Sequence, residues 1–355
     1  MLPTFRSAVR LRLRRWYQKS KRDLPWRRTS DPYAVWIAEM MLQQTQVNTV
    51  IPYYERFLRA FPTVELLARA PLQRVLRHWS GLGYYRRAVN LSRAARQIAR
   101  RHGGKMPDGY EPLRALPGVG DYTAGAVLSI AFGQRYPAID GNVRRVLGRL
   151  MKVESERDLR IITAALVPKS EPGEFNQALM ELGATLCTPK NQRCRDCPLD
   201  ALCASGSRAG AMGARTTSKK QIVLEDMIWP LALVRHGSKI LLHRRTGPGL
   251  LSGLWDLPGG QLSANRTEAT ALQPYFSALK IRPAQRSKIG EIRHAMTRWR
   301  IRAPVYLFDL DRKTAIDLPG ARWRWISPSR IEEQATSAMT TKAVALFLRH
   351  EEASR

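Results

Sequence analysis

The chain has 355 residues and a mass of 40.3 kDa, and its 59 Lys and Arg exceed its 29 Asp and Glu by a formal charge of +30. This length is typical of two domains, and an apolar content of 44% excludes a disordered or fibrous chain. The charge predicts a polyanionic partner, either nucleic acid or an anionic membrane surface. No uncharged apolar run of about 18 residues occurs, so we expect no membrane-spanning helix. The arginine-rich first residues carry no apolar leader segment, so we expect no secretory signal.

The first 203 residues are predicted to be mostly helical. Apolar side chains recur at helical spacing over 32–61, and prolines punctuate the chain after them at helix-length intervals. Residues 204–225 are small and polar, which is typical of a linker. After Met227, short apolar runs with turn residues between them predict an α+β domain. The sequence therefore predicts a helical region at 1–203, a linker, and an α+β region at 226–355.

Four segments of the second region have a definite predicted conformation. Two short apolar runs flank a His-Gly-Ser turn, as in a β-hairpin, and a longer apolar run and an apolar helical pattern follow. The segments are strands at Trp229–Val234, Lys239–His243 and Ile301–Leu310, and a helix at Thr340–Arg349.

Glu39 is an acidic side chain in an apolar stretch of sequence. It is the only acid between Asp31 and Glu55. A carboxyl group in apolar surroundings has a raised pKa, which suits a general acid; the alternative is a surface Glu on an amphipathic helix. The amides of Gln43, Gln44 and Gln46, a few residues further along the chain, suit pairing with exposed base edges.

An aromatic pair follows a glycine-rich turn. Tyr84 and Tyr85 come directly after Gly81-Leu82-Gly83. The flat faces of these rings suit stacking on an opened base step of a nucleic acid. The alternative is that both rings belong to the core.

Two glycines one residue apart mark the segment Leu116–Gly120, which lies between helical stretches. They allow a tight turn and leave backbone N–H groups at the start of the next helix, where the helix dipole favours an anion. Gly118, Val119 and Gly120 are therefore predicted to bind a backbone phosphate without reading sequence. The alternative is an ordinary interhelical turn.

Asp140 directly precedes a predicted helix that begins Gly141-Asn142-Val143. Asp is a favoured N-cap residue, so one interpretation is purely structural. The other is that Asp140, like Glu39, is a carboxyl group that could take part in catalysis.

All four cysteines lie within 17 residues, with the spacing C-x6-C-x2-C-x5-C. Thiolates this close can surround one metal ion or cluster, and ligand type leaves tetrahedral zinc and a 4Fe–4S cluster both open. Two local disulfides are the alternative, which the lack of a secretory feature disfavours. The four residues are Cys187, Cys194, Cys197 and Cys203.

Together these motifs resemble the endonuclease III superfamily of base-excision DNA glycosylases. The helix–hairpin–helix segment, the position of Asp140 twenty residues after Gly120, and the four-cysteine loop carry the resemblance. Six stretches are similar to the MutY family of adenine DNA glycosylases, and they span nearly all of the first 203 residues. They are LPWR at 24–27, WIAEMMLQQTQV at 36–47, GLGYY at 81–85, LPGVGDYTAGA at 116–126, DGNV at 140–143 and FNQALMELG at 175–183.

The resemblance implies an enzyme of base excision repair. It would flip adenine mispaired with 8-oxoguanine, or with guanine, out of duplex DNA and excise it. The implied partner is duplex DNA carrying such a mispair, with no membrane partner, and the implied state is a monomer. The resemblance also implies that the four cysteines hold a 4Fe–4S cluster, and that the protein works in a bacterial cytoplasm, associated with the nucleoid.

The resemblance also assigns roles to single residues. Glu39 would protonate N7 of the leaving adenine, while ionised Asp140, supported by Asn142, would stabilise an oxocarbenium-like sugar. Tyr122 stands where bifunctional members of the superfamily have lysine, so a monofunctional enzyme is implied. Trp26, Arg27, Tyr122 and Glu181 would line the adenine pocket, and Gln44 and Tyr84 would wedge the opened stack opposite the lesion.

The second region is similar to the Nudix-like C-terminal domain of the family, through the stretch GLWDLP at 253–258. Residues 261–276 lack the acidic cluster that holds Mg²⁺ in Nudix hydrolases, so we expect no nucleotide hydrolysis. The family's lesion-reading Phe-Ser-His is replaced by Met296-Thr297-Arg298. Thr297 keeps a hydroxyl for the lesion, whereas Arg298 adds a cation that would favour phosphate binding over selectivity.

Two further classes of function stay open at this point. One is a related glycosylase that acts on another mispaired base, such as thymine opposite guanine, or an endonuclease III-type lyase. The other is a catalytically silent DNA-binding module or a Nudix hydrolase with a DNA-binding arm. Tyr122 argues against the lyase, and intact Glu39 and Asp140 argue against the silent module.

Overall fold

The computed structural model describes residues 3–207, 224–247, 250–262, 267–281, 287–296, 298–310, 318 and 320–353. Contacts divide the chain into two compact units. The first comprises Met1–Ala70 with Asn90–Lys219, and the second comprises Pro71–Val89 with Lys220–Arg355. Most of the linker predicted at 204–225 lies outside the described residues, and the predicted domain boundaries stay a prediction.

The described residues up to 207 are mainly helical, as predicted. Three short 3₁₀ helices supplement the α-helices, at Pro25–Arg27, Cys194–Asp196 and Asp200–Leu202. The α-helices are α1 (Pro3–Ser20), α2 (Pro32–Leu42), α3 (Val47–Ala60), α4 (Val64–Arg69), α5 (Leu72–Trp79), α6 (Arg86–Arg101), α7 (Tyr110–Arg114), α8 (Asp121–Ile130), α9 (Gly141–Met151), α10 (Glu156–Leu166) and α11 (Pro172–Thr185). Of these, α5 and the first residues of α6 belong to the second unit.

Helix α2 is an almost entirely buried helix of the first unit. The side chain of Asp31 caps its N-terminus by accepting from the backbone N–H groups of Tyr33 and Ala34, and Pro32 occupies its first turn. The nine residues from Tyr33 to Met41 are all buried, as expected for a helix that is apolar on every face. Because Glu39 lies within this run, its carboxyl group is removed from water.

Helices α1, α9, α10 and α11 share one apolar core. Val9 and Leu13 of α1 pack with Val143 and Leu147 of α9 and with Leu179 of α11, and all five are fully buried. Close approach of α11 to the start of α9 requires a glycine. A Cβ at position 183 would lie 2.6 Å from the Cβ of Asn142.

The second unit contains a seven-stranded sheet and two further helices. The chain order is β1 (Glu225–Ile228), β2 (Leu231–His236), β3 (Lys239–Arg244), β4 (Trp255–Asp256), α12 (Glu268–Leu279), β5 (Ser287–Met296), β6 (Trp299–Leu310), β7 (Trp323–Ile326), a 3₁₀ helix at Pro328–Glu333, and α13 (Ala338–Ala353). The spatial order is β1-β6-β2-β3-β4, with β5 paired to β6 and β7 paired to β3. Strands β1 and β2 run parallel to β6, and the other pairs are antiparallel.

The α+β prediction for this unit is confirmed. Strand β2 begins two residues later than predicted, and Pro230, which has no N–H to donate to a ladder, directly precedes it. The predicted hairpin, the long strand and the closing helix correspond to β2–β3, β6 and α13. Leu272 and Phe276 of α12 pack against the sheet residues Val234, Tyr306 and Phe308.

Asp256, in the stretch that resembles a Nudix-like domain, is completely buried. It accepts from Arg245 Nε at 2.8 Å and from Ser337 Oγ at 2.9 Å, and Thr340 also donates to it. These bonds join β4 to the start of α13, so Asp256 has a structural role in this unit.

Every helix in the described part of the chain is either too short or too polar to cross a lipid bilayer.

Candidate active site

Glu39 and Tyr122 form a buried hydrogen-bonded pair. Only 4% of Glu39 is exposed, and Tyr122, in the first turn of α8, donates its hydroxyl to Glu39 Oε2 at 2.5 Å. Burial raises the pKa of Glu39 to about 7, although the Tyr122 hydrogen bond acts in the opposite direction, and the nearby Asp140 carboxylate raises it further. Glu39 can therefore carry a proton near neutral pH.

Asp140 is the N-cap of α9, so the structural interpretation of this residue is correct as far as it goes. Its Oδ1 accepts from the Val143 N–H at 2.7 Å, and its Oδ2 accepts from Asn142 Nδ2 at 2.8 Å. Burial raises the pKa of Asp140, and the two N–H donors oppose that rise because they stabilise the anion. The helix N-terminus favours the same charged form.

The two carboxyl groups line one cavity of about 500 Å³, a volume within the roughly 300–1,000 Å³ typical of ligand pockets. Its wall contains most of the predicted catalytic and substrate-binding residues. They are Trp26, Arg27, Glu39, Gln43, Gln44, Tyr122, Asp140 and Glu181. Asn142 reaches the site through its bond to Asp140. Arg22 and Met180 also line the cavity, and sequence reasoning missed both.

Glu181 organises the wall of the cavity opposite α2. Its side chain is fully buried and accepts from Arg22 Nε at 2.7 Å and from Arg27 Nη2 at 2.7 Å. Burial would raise the pKa of Glu181, but the two guanidinium groups outweigh it and lower the pKa to about 2. Glu181 is therefore an anion that holds Arg27 in place. The guanidinium carbon of Arg27 also lies 5.4 Å from the ring centroid of Tyr17. The only sequence signal for Arg22 was a charge next to the LPWR stretch.

The two glutamines after α2 have different environments. Gln43 Nε2 donates to Gly118 O at 3.4 Å and to Thr123 Oγ1 at 3.3 Å, so it ties the end of α2 to the glycine hairpin. Gln44 is exposed and has a φ of 59°. A non-glycine residue in this left-handed region is uncommon and is often found at functional sites.

The glycine hairpin presents backbone at the surface. Gly118 and Gly120 are exposed while Val119 is buried and anchors the turn. Gly118 has a φ of 81°, which glycine adopts without strain. Gly120 is the N-cap of α8 and provides no side chain to cover the first-turn N–H groups.

Tyr84 belongs to the second unit. Its side chain is 44% exposed, which is unusual for a large aromatic, and its φ is 48°. The alternative that Tyr84 is a core aromatic is therefore wrong. Tyr85 is more enclosed, and its hydroxyl donates to Thr336 O at 3.3 Å.

The four cysteines line a second cavity, of about 290 Å³, next to α9 and α11. In the described part of the chain, no three His, Cys, Asp or Glu side chains are arranged to hold a single metal ion. Arg149 Nη1 lies 3.3 Å from Cys187 Sγ, and burial raises the pKa of Cys197 to about 11. Four thiols that line one cavity are a donor set of the kind that holds a zinc ion or an iron–sulfur cluster.

Arg145 is a further residue that sequence reasoning missed. It donates to Asn142 Oδ1, to Gly183 O and to Cys187 O, each at 2.7 Å. It therefore joins the residue that supports Asp140 to the first cysteine. No local pattern identified it, because its partners lie on three different segments.

The hairpin of β5 and β6 carries the predicted lesion-reading residues. Thr297 lies outside the described residues. The guanidinium of Arg298 stacks 4.7 Å from the ring centroid of Trp299, and its Nε lies 3.5 Å from Glu225 Oε1. The Arg298 cation is thus paired with an acid of β1.

Two family models match the chain: "HhH-GPD superfamily base excision DNA repair protein" over residues 37–169 and "NUDIX domain" over residues 231–346. An adenine DNA glycosylase of Rattus norvegicus is 35% identical, with 98% of this chain and 79% of the relative covered. The chain belongs to the adenine DNA glycosylase family. The Homo sapiens member is 36% identical, with 96% of this chain and 73% of the relative covered. The Mycobacterium tuberculosis member is 45% identical over 52% of this chain and 64% of the relative.

Solved structures agree with the fold of the first unit. A thermostable thymine-DNA glycosylase is 29% identical with a TM-score of 0.54, and 57% of this chain and 96% of that chain are covered. An endonuclease III–DNA covalent intermediate is 24% identical with a TM-score of 0.51, and 59% of this chain and 99% of that chain are covered. The latter likeness shows the fold alone. Family membership confirms the predicted resemblance and the assignment to the DNA N-glycosylases.

Proposed function

We propose that this protein excises adenine mispaired with 8-oxoguanine or guanine from duplex DNA. One observation carries the proposal: two carboxyl groups line the same cavity. They are Glu39, whose pKa is raised to about 7, and Asp140, which accepts a hydrogen bond at the N-terminus of α9. A duplex hides the target base, so the adenine must first be flipped into such a cavity.

The two carboxyl groups then divide the chemistry of the glycosidic bond. Protonated Glu39 gives its proton to N7 of adenine, and the electrons of the C1′–N9 bond leave with the base. Asp140, ionised at the N-terminus of α9, stabilises the positive charge that develops on the sugar. A water then adds its oxygen to C1′ and returns a proton to Glu39. The free base and an abasic site are the products.

Tyr122 keeps Glu39 oriented and excludes a second reaction. A phenol cannot form the Schiff base through which an amine side chain would cleave the strand. We infer a monofunctional glycosylase, for which strand scission requires a later alkaline or enzymatic step.

The four cysteines would hold the 4Fe–4S cluster that the family suggests. When bound, such a cluster would cross-link the loop at 187–203 through the four thiolates, and it would supply no catalytic step. The loop carries Lys190, Arg193 and Arg195, which suit contact with backbone phosphates.

The remaining predicted residues would hold and open the duplex. The exposed hairpin at Gly118–Gly120 suits one backbone phosphate. Gln44 and Tyr84, both in left-handed backbone conformations, suit insertion into the stack where the adenine has left. The hairpin with Met296 and Arg298 would read the opposite base.

Base release under single-turnover conditions tests the proposal. Duplexes carry A:8-oxoguanine, A:G or T:G, and the proteins are the wild type, Glu39→Gln and Asp140→Asn, with Glu55→Gln as an exposed control. We expect the wild type to release adenine, and both site variants to be slower by roughly a hundredfold or more. Asn retains the N-cap, so Asp140→Asn should fold normally.

Three outcomes would overturn parts of the proposal. Preferred release of thymine from T:G would assign the enzyme to another base. Unchanged activity of Asp140→Asn would show that the reaction does not depend on the Asp140 carboxylate and would contradict the proposed pair of catalytic carboxyl groups. Strand scission without alkali, with a borohydride-trapped adduct, would contradict the monofunctional assignment. The ratio of rates on A:8-oxoguanine and A:G measures how far Met296-Thr297-Arg298 preserves lesion preference.

A further inference from the structure

The loop at 80–85, between α5 and α6, has an unusual backbone. Gly81, Gly83 and Tyr84 have φ values of 94°, 76° and 48°. Tyr84 has a Cβ, so its left-handed conformation costs energy and persists only where neighbouring groups hold it. The contacts that hold this loop therefore determine where the exposed Tyr84 ring points.

Arg87 supplies several of those contacts. It is 7% exposed, and its guanidinium carbon lies 5.3 Å from the ring centroid of Tyr84 and 5.3 Å from that of Trp79. Its Nη2 also donates to Gly83 O at 3.2 Å, and Trp79 Nε1 donates to the same carbonyl at 3.0 Å. One buried cation thus contacts an exposed ring, a buried ring and the left-handed glycine between them.

Two further hydrogen bonds hold the first residues of the loop. Ser80 Oγ donates to Thr336 O at 2.9 Å, and the Gly81 N–H donates to Tyr85 Oη at 3.2 Å. Burial lowers the pKa of Arg87 to about 10, so the guanidinium stays charged at neutral pH. A planar cation can stack on aromatic faces and donate hydrogen bonds at once, which lysine cannot do equally well.

We propose that Arg87 is a positioning residue that holds the ring of Tyr84 at the angle needed to enter the DNA stack. The proposal rests on the proposed function of Tyr84 as a wedge. With the Arg87 guanidinium against one side of the ring, the exposed remainder of the ring is left for a base. Arg87 then contributes to opening of the duplex and takes no part in bond cleavage.

The test compares Arg87→Met with Arg87→Lys, Tyr84→Ala and the double variant Arg87→Met/Tyr84→Ala. Arg93→Met, at an exposed position of α6, is the control for loss of one positive charge. A 2-aminopurine beside the mispair reports unstacking, and adenine release is timed on a duplex and on a bubble in which the adenine is already unpaired.

We expect Arg87→Met to weaken the 2-aminopurine signal and to slow release from the duplex by roughly three- to thirtyfold, the range for loss of one cation–π contact. Release from the bubble should change less than twofold. In the Tyr84→Ala background, Arg87→Met should add nothing further, because both changes remove the same element. Arg87→Lys should lie between the wild type and Arg87→Met.

Equal slowing on duplex and bubble, or full additivity with Tyr84→Ala, would overturn the proposal. Thermal unfolding separates these results from misfolding, and Arg87→Lys provides the readout if Arg87→Met does not fold. Adenine release by the wild type from both substrates tests the proposed function separately, so the two proposals can fail independently.

Discussion

At the scale of single residues, burial sets the protonation state that the chemistry needs. Glu39 lies in the middle of a helix that is apolar on every face, and its pKa rises to about 7. Burial also raises the pKa of Asp140, while its position at a helix N-terminus and two N–H donors favour its anion. One cavity therefore contains two carboxyl groups in different electrostatic environments.

The pH dependence of base release follows from Glu39. In the proposed mechanism the protonated form of Glu39 is the active one, so the single-turnover rate should be constant at low pH and fall as pH rises through about 7. Glu39→Gln should remove this limb and lower the rate by roughly a hundred- to ten-thousandfold. Rates measured from pH 5.5 to 9 check this. A rate that rises with pH would show that Glu39 acts only as a base.

The same pKa shift predicts an effect on stability. A folded-state pKa above the ordinary value favours the neutral form, so stability is full below about pH 4.5 and declines as pH rises through about 7. The decline is on the order of 3 kcal/mol in the free energy of unfolding, at about 1.4 kcal/mol per pKa unit. Gln does not titrate, so the free energy of unfolding of Glu39→Gln should not show this decline. The difference between Glu39→Gln and the wild type should therefore move in favour of Glu39→Gln as the pH is raised from 5 to 8.

At the scale of elements, buried polar contacts hold the helices and loops around the cavity in fixed positions. Glu181 of α11 binds Arg27, the last residue of the short helix that carries Trp26, and Arg22, which precedes that helix. Arg145 of α9 performs a similar role between Asn142 and the cysteine loop. These side chains fix the positions of the elements that carry the cavity residues Trp26 and Asp140.

Glu181→Gln tests the first of these sets of contacts. It leaves Arg27, whose side chain is only 12% exposed, without its carboxylate, so we expect a loss of roughly 3–5 kcal/mol in the free energy of unfolding. Urea unfolding measures it. The matched control is Glu171→Gln, which removes an exposed pair with Arg14 and should cost at most about 1 kcal/mol.

The pH dependence of this loss has a defined sign. The pKa of Glu181 is lowered to about 2, so its stabilisation is present above the ordinary carboxyl pKa and is lost as pH falls towards 2. The difference between wild type and Glu181→Gln should therefore be full at pH 6–8 and shrink in acid. Equal losses in the free energy of unfolding for Glu181→Gln and Glu171→Gln at pH 7 would contradict the stabilising role of the buried Glu181 ion pairs.

At the scale of the whole molecule, a formal charge of +30 dominates encounter with DNA. Each phosphate neutralised by Lys or Arg releases counterions, so affinity should fall steeply with salt. We expect a loss of roughly a thousandfold or more between about 50 and 200 mM salt, as for proteins that neutralise about six or more phosphates. Binding isotherms with Glu39→Gln, which prevents turnover, give the slope. A loss below tenfold would contradict this prediction.

Local sequence patterns were sufficient to identify much of this protein. Apolar side chains at helical spacing predicted the helical first region. Short apolar runs separated by turn residues predicted the strands of the second region. The glycine hairpin, the clustered cysteines and the stretch before α9 were recognisable because their functions depend on residues that are adjacent in the chain. Asp140 could be placed at a helix N-terminus for the same reason.

Only the tertiary structure decided which distant groups meet. Tyr122 reaches Glu39 across 83 positions, and Arg22 reaches Glu181 across 159. Packing of α2 against α8 creates the first contact, and packing of α1 against α11 brings the segment after α1 to Glu181 for the second. No spacing rule encodes either contact. The left-handed backbone of Gln44 and Tyr84 was equally hidden, because non-glycine residues adopt it only when surrounding contacts outweigh its cost.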